Sequence, residues 1–221
     1  QFTADAAHEL RTPIAGIRMQ AQVAQGATNT QERATALQAT VQGCDRATRL
    51  VEQLLQLARL DAEAAPDRSS TPLADVARQV AADLQATAER RQQRIVLREP
   101  MAPDVHIPLP EPLARVLLRN LLDNALRYMG PHEDSLQVQT RTSVTGQITL
   151  QVWSDGAPMD KSVERHLFEP FFSSESRSSG LGLYICRELC QRHGASISYQ
   201  RTTRDTARGK VGGNAFTVAF R

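Results

Sequence analysis

Between residues 10 and 58, apolar side chains recur at alternating steps of four and three. The first run is Leu10, Ile14, Ile17, Ala21 and Ala24; the second is Leu37, Val41, Cys44, Thr48, Val51, Leu55 and Ala58. This spacing draws one narrow stripe along an α-helix, which is stable only when buried against other helices. Gly26-Ala27-Thr28-Asn29-Thr30 is a turn signal between the runs. A helical hairpin follows, but two helices enclose little core. The closure we expect is a four-helix bundle from two chains, a homodimer through residues 1–60. Packing of the hairpin on a second domain of the same chain is the competing closure.

A second domain is expected because the pattern changes. Asp61 to Pro72 holds Pro66, Ser69, Ser70 and Pro72, which reads as a linker. The chain thus divides into a hairpin over 1–65, a linker over 66–72 and a domain over 73–221. In that last part, Leu73 to Arg90, Glu111 to Tyr128 and Leu181 to His193 read as helices. Arg94 to Leu97, Leu136 to Thr142, Gln147 to Trp153, Ser196 to Gln200 and Ala215 to Phe220 read as strands. The fold class is α+β, with helices layered on one face of a mostly antiparallel sheet.

Composition excludes other classes. With 26 basic and 24 acidic residues the net charge is only +2, so no nucleic-acid partner is indicated. No apolar run approaches the roughly 20 residues that span a bilayer. The chain starts at Gln1, inside a helical pattern, so we expect a fragment, and any sensor or membrane segment would lie before residue 1. Three cysteines do not suit a disulfide framework and fit a reducing compartment. Cys186 and Cys190 read as buried structural thiols, since only His193 lies near them as a further metal ligand.

The stretch from Phe2 to Pro13 contains the most chemistry. His8 precedes the stripe residue Leu10 by two positions, about 200° round the helix, and so points away from the bundle core. Thr12, four residues on, shares its outward face. Glu9 adjoins His8 and can take a proton from the imidazole, making it a better nucleophile. Pro13 removes a helix hydrogen bond and frees the carbonyl of Glu9.

Phe2, Asp5 and then His8-Glu9-Leu10-Arg11-Thr12-Pro13 resemble the H-box of the HisKA class of histidine kinases. That resemblance implies phosphorylation of His8 with Glu9 as general base. It also implies that Thr12 orients water in dephosphorylating a response regulator.

A second set of motifs lies in the later domain. Asn120, Asn124 and Arg127 fall close to one helix face, where amide oxygens can meet a hard cation and a guanidinium a phosphate. Ser179-Gly180-Leu181-Gly182-Leu183 is a glycine-rich turn opening a helix, whose free N–H groups favour phosphate. Together with the segments 152–159, 166–172 and 212–216 these resemble the N-, G1-, F- and G2-boxes and the terminal glycine motif of the GHKL ATPase fold. The resemblance implies an α/β sandwich that binds ATP and Mg²⁺. Asn124 would be the metal ligand, Asn120, Arg127 and Tyr128 would line the nucleotide site, and Gly180, Leu181, Gly182 and Leu183 would meet the phosphates.

Three positions depart from that pattern. Ser154 stands where the family has its adenine-reading Asp, Pro158 replaces the second glycine of the G1-box, and Ser178 replaces the first glycine of the G2-box. Gly156 is retained, and Asp155 falls one position late, which in a strand turns it to the opposite face although a turn relaxes this rule; Ser154, Asp155 and Gly156 are all expected at the nucleotide. A hydroxyl is a weaker acceptor than a carboxylate, so we expect reduced adenine affinity. The lid has Arg177 as its cation in place of the family's Lys.

What the resemblance implies is the cytoplasmic core of a bacterial inner-membrane sensor histidine kinase. It would move the γ-phosphoryl group of ATP to His8 and on to an Asp of a response regulator, docked near Ile14 to Ala21. The alternative is a dimer acting mainly as a regulator phosphatase or docking scaffold, because the nucleotide boxes are degenerate. Other GHKL ATPases, such as chaperones, lack an H-box helix.

Overall fold

The computed structural model describes residues 2–62, 70–90, 92–97, 105–132, 135–173 and 179–220. The chain forms two compact units: Gln1–Glu63 with Glu169–Leu181, and Ala64–Phe168 with Gly182–Arg221.

The first unit is built on helices α1 (Phe2–Gly26) and α2 (Thr30–Ala62). Asn29 caps α2: its Oδ1 accepts from the Glu32 backbone N–H at 2.7 Å, and its Nδ2 donates to the Glu32 carboxylate at 3.5 Å. Only the first half of a capping box is made: Asn29 satisfies the Glu32 N–H, while the Glu32 carboxylate bonds the Asn29 side chain rather than its backbone N–H. Arg33 ties the loop down by donating to the Ala27 carbonyl at 3.1 Å.

On α1 the contact keeps predicted stripe residues, Ile17 against Gly43 with Ala24 buried, but α2 meets it through a stripe other than the one predicted. On α2, Ala36, Gly43, Leu50 and Leu57 are buried, one heptad apart and one position before Leu37, Cys44, Val51 and Ala58. A Cβ on Gly43 would lie 2.6 Å from Ile17 Cγ1, so the missing side chain is what lets the helices approach. The predicted stripe faces outward, with Leu37 50%, Val41 55%, Val51 42% and Leu55 53% exposed. Among the described residues, every large exposed hydrophobic except Val144 lies on these two helices.

The second unit has β1 (Thr71–Pro72), α3 (Leu73–Arg90), β2 (Val96–Leu97), β3 (His106–Ile107), α4 (Glu111–Tyr128), β4 (Leu136–Thr142), β5 (Ile148–Ser154), α5 (Lys161–His166), α6 (Gly182–Arg192), β6 (Ser196–Thr206) and β7 (Gly209–Phe220). The main sheet runs β2-β4-β5-β7-β6; β2 is parallel to β4 and the other pairs are antiparallel. In register across it, Leu136, Val138 and Leu150, Val152 share a face with Phe216, Val218 and Phe220. All seven are buried, and α4 and α6 pack against the sheet. The expected helix-on-sheet sandwich is therefore present.

Helix α4 starts with Glu111 and a proline in its first turn and ends with Arg127, so both charges complement the helix dipole. It contributes Leu117, Leu118, Leu121, Leu122 and Leu126, each at most 1% exposed. On α6, Cys186 and Cys190 are buried, and Cys186 Sγ donates to the Leu117 carbonyl at 3.8 Å. Burial pushes both thiols up, Cys190 to about 12, so neither is a thiolate at neutral pH. The β1–β3 pair, α5 and the far halves of β6 and β7 were not expected from sequence.

Candidate functional site

In the first unit, His8 lies exposed on α1, Glu9 beside it is half-buried and Thr12 is exposed. Thr12 Oγ1 donates to the His8 carbonyl at 3.4 Å, and Pro13 lies inside the helix. A proline that removes a helix hydrogen bond and a hydroxyl bonded to the main chain thus meet in the turn that carries exposed His8. An exposed imidazole with a neighbouring carboxylate is accessible to an incoming phosphoryl donor.

The segment Glu169–Leu181 belongs to the same unit. Phe171 has φ 62°, rare for an aromatic residue, and its ring centroid is 5.4 Å from that of Phe2. Gly180 has φ +67°, and a Cβ there would come within 2.5 Å of the Phe171 carbonyl carbon. Only glycine fits. Ser179 Oγ donates to Gln53 Oε1 of α2 at 2.6 Å and accepts from the Leu181 N–H at 3.3 Å. Arg177 and Ser178, the expected lid cation and the G2-box departure, lie outside the described residues.

In the second unit, α4 presents the polar face predicted for it. Asn120 Nδ2 donates to the Val116 carbonyl at 3.1 Å, which turns its Oδ1 towards the start of α6. A Cβ on Gly182 would sit 3.2 Å from that oxygen, so glycine gives α6 room against Asn120. Leu183 follows, half-buried. Asn124 and Tyr128 are half-buried and Arg127 is exposed. Among the described residues the Asn124 amide makes no hydrogen bond, so its oxygen is open to a ligand. Among the same residues, no group of three His, Cys, Asp or Glu side chains could hold a metal ion. A single neutral oxygen suits Mg²⁺ that keeps its remaining ligands as phosphate oxygens and water.

The end of α4 meets the end of β5. A Cβ on Gly156 would lie 2.6 Å from the Tyr128 carbonyl oxygen, which explains a glycine there. Ser154 is 4% exposed and, among the described residues, its hydroxyl makes no hydrogen bond. Asp155 has turned away from Ser154 as the strand period requires. Its side chain is 3% exposed and accepts from the Gly130 N–H at 2.8 Å, Ser135 Oγ at 2.6 Å and Arg208 Nη2 at 2.6 Å. The carboxylate is thereby engaged on the side of β5 away from Ser154.

Asn214 faces Ser154 across the β5–β7 register. Its Nδ2 donates to the Ala157 carbonyl at 2.9 Å, and its Oδ1 accepts from Tyr199 Oη at 2.8 Å and Arg201 Nη1 at 3.1 Å. Sequence reasoning found Asn214 only as part of a glycine motif and missed Ser135, Tyr199, Arg201 and Arg208. Their roles come from strand register, which no local pattern reveals.

Residues 110–221 match the family model of the histidine kinase-, DNA gyrase B- and HSP90-like ATPases. The chain belongs to this family. Residues 1–63 match a second model, the phospho-acceptor domain of histidine kinases, and this order of the two is that of two-component sensor histidine kinases. Sensor protein QseC of Salmonella typhi is 35% identical over 205 residues, covering 90% of this chain and 44% of QseC. The chain therefore spans less than half the length of that relative. Among solved structures, the Acinetobacter baumannii histidine kinase AdeS superposes with TM-score 0.71 at 19% identity, covering 96% of both chains. The histidine kinase ThkA in complex with response regulator TrrA gives TM-score 0.74 at 18% identity, over 100% of this chain and 61% of that one. At such identities these two structures bear on the fold alone.

Proposed function

We propose that this ATPase-family chain is the catalytic core of a sensor kinase that transfers the γ-phosphoryl group of Mg-ATP to a ring nitrogen of His8. The observation that carries the reading is exposed His8 beside half-buried Glu9, on the Pro13 turn of a phospho-acceptor helix, in one chain with an ATPase-type domain. In the transfer the imidazole attacks the γ-phosphorus, the bond to the bridging oxygen breaks and ADP leaves. The proton lost from the ring goes to Glu9. Phosphoryl transfer depends mainly on positioning and charge neutralisation, so the nucleotide domain's task is to hold ATP. Asn124 would hold Mg²⁺, which neutralises phosphate charge when bound, while Arg127 and Tyr128 contact phosphate and nucleoside. Gly180 to Leu183 would donate N–H groups to the phosphates, and Arg177 would be the lid's cation.

The phosphoryl group then passes to an Asp of a response regulator docking below His8, and Thr12 assists the reverse hydrolysis. Two copies pair through residues 1–60, an assignment supported by the outward stripe Leu37, Val41, Val51 and Leu55. The greater length of the QseC relative supports placing this portion on the cytoplasmic side of a membrane sensor kinase. Incubation with γ-labelled ATP tests the reading: the chain should take up acid-labile label, and His8→Ala should abolish it. Label that persists in His8→Ala overturns the assignment. A second reading, a phosphatase or docking scaffold, draws on the neutral Ser154; a chain that binds no ATP and never labels would support it.

A further inference from the structure

Strand β5 pairs with β7 only from Asn214 to Phe220, whereas β6 and β7 remain paired out to Thr206 and Gly209. The ribbon from Arg201 to its turn is therefore a free-standing hairpin, about 17 Å long if straight. Yet its two ends reach neighbouring residues of one turn. Arg201 Nη1 donates to the Gly156 carbonyl at 2.7 Å, and Arg208, in the hairpin turn, meets the Asp155 carboxylate at 2.6 Å. The ribbon bends back over the end of β5.

Three contacts hold that bend. Trp153 Nε1 donates to the Thr202 carbonyl at 3.3 Å, and Arg204 donates to the side chains of Gln139 and Gln151. At Gly213 a Cβ would stand 2.3 Å from the Trp153 ring and 2.4 Å from the Ser154 carbonyl, so β7 presses directly on β5 there. What the bent hairpin grips is the segment 155–160, which belongs to no helix or strand. Arg201 also donates to Asn214 Oδ1 and, through Nη2 at 3.0 Å, to the Gly212 carbonyl. Asn214 in turn holds Ala157. The carbonyls of Gly156 and Ala157 and the carboxylate of Asp155 are all bonded to β6–β7.

We propose that Arg201 and Arg208 are positioning residues for the nucleotide, bracing from two sides the turn that follows Ser154. The inference rests on the reading that Ser154 to Gly156 lies against the purine. Gly156 gives that turn its close approach to Tyr128, and with Pro158 where the resemblance has a second glycine, charge-assisted hydrogen bonds from a neighbouring hairpin hold the rest. Neither arginine acts on the reacting phosphate, so their loss should change nucleotide affinity and leave the phosphoryl step alone.

The test uses the whole chain and a non-hydrolysable Mg-ATP analogue in a calorimetric titration, with autophosphorylation kinetics and thermal unfolding of the nucleotide-free protein. Arg201→Ala and Arg208→Ala should each weaken analogue binding and raise KM for ATP by about tenfold, with kcat within about twofold. Arg201→Lys should recover part of the affinity, and it carries the test if Arg201→Ala does not fold. Arg204→Ala, which loosens the bend at Gln139 and Gln151 but leaves both braces in place, should lower thermal stability and weaken binding by no more than about twofold. The proposal is overturned if Arg201→Ala lowers only the melting temperature, or if Arg204→Ala weakens binding equally. Wild-type chain that binds no analogue overturns the purine-site reading and the brace with it, an outcome distinct from failure of the variants alone.

Discussion

Asp155 shows how one position of displacement changes the work a carboxylate does. At position 154 a carboxylate would stand on the helix-facing side of the sheet; at 155 it is buried beneath Gly130, Ser135 and Arg208. Burial pushes its carboxyl up, but the hydrogen bonds from Ser135 and Gly130 and the bond and charge of Arg208 outweigh burial and hold the pKa below the ordinary 3.8. A depressed folded-state pKa stabilises the native state above the unfolded value of about 3.9 and loses that contribution as pH falls through the folded value. Asp155→Asn should therefore be less stable than wild type at pH 7 by about 1–3 kcal/mol, since it removes a charge from three donors. The gap should close progressively below about pH 4. Urea unfolding at pH 7 and at pH 3 measures it; an equal gap at both would refute the electrostatic origin. The displacement was legible in the sequence, but the side was not, because a turn can relax the period of two and the resemblance still places Asp155 at the nucleotide. The three donors were not, because Gly130, Ser135 and Arg208 arrive from separate segments.

Among elements, α4 was the most legible: its apolar period, its Glu111 start and its Arg127 end agree, and the expected bounds are the observed ones. The hairpin of β6 and β7 was legible only in part. Beyond Gln200 its residues are Arg201-Thr202-Thr203-Arg204-Asp205-Thr206, polar on both faces, so alternation gives no signal although main-chain pairing continues. On α2 the reverse held: the strongest apolar stripe was easy to see, but the contact with α1 uses Ala36, Gly43, Leu50 and Leu57, one position earlier. That choice makes Gly43 a test. Replacing it by Ala gains helix propensity of about 1 kcal/mol, but the new Cβ meets Ile17 Cγ1 at 2.6 Å. Ile17 is branched at Cβ and stiff, so overpacking of about 1–3 kcal/mol should win. Thermal unfolding followed by helical circular dichroism should show Gly43→Ala less stable than wild type; a more stable variant would mean that the helices part without cost.

For the whole molecule, the two stripes on α2 separate two tasks. Ala36, Gly43, Leu50 and Leu57 close the hairpin, which leaves Leu37, Val41, Val51 and Leu55 without a covering surface within the first unit. Four aliphatic side chains about half exposed along one helix face are worth roughly 1 kcal/mol each when covered, counted once per chain. A second copy offers the same stripe back, as an isologous interface requires. Val41→Glu combined with Leu55→Glu puts a charge into each desolvated layer of that seam, a cost of several kcal/mol that pairing cannot offset. Neither residue is buried in the single chain, so the hairpin itself should survive. In sedimentation equilibrium the wild type should run at twice the chain mass and the double variant at one, with helical signal retained. A wild type that is monomeric at micromolar concentration, or a double variant that still pairs, would move the dimer seam away from this stripe.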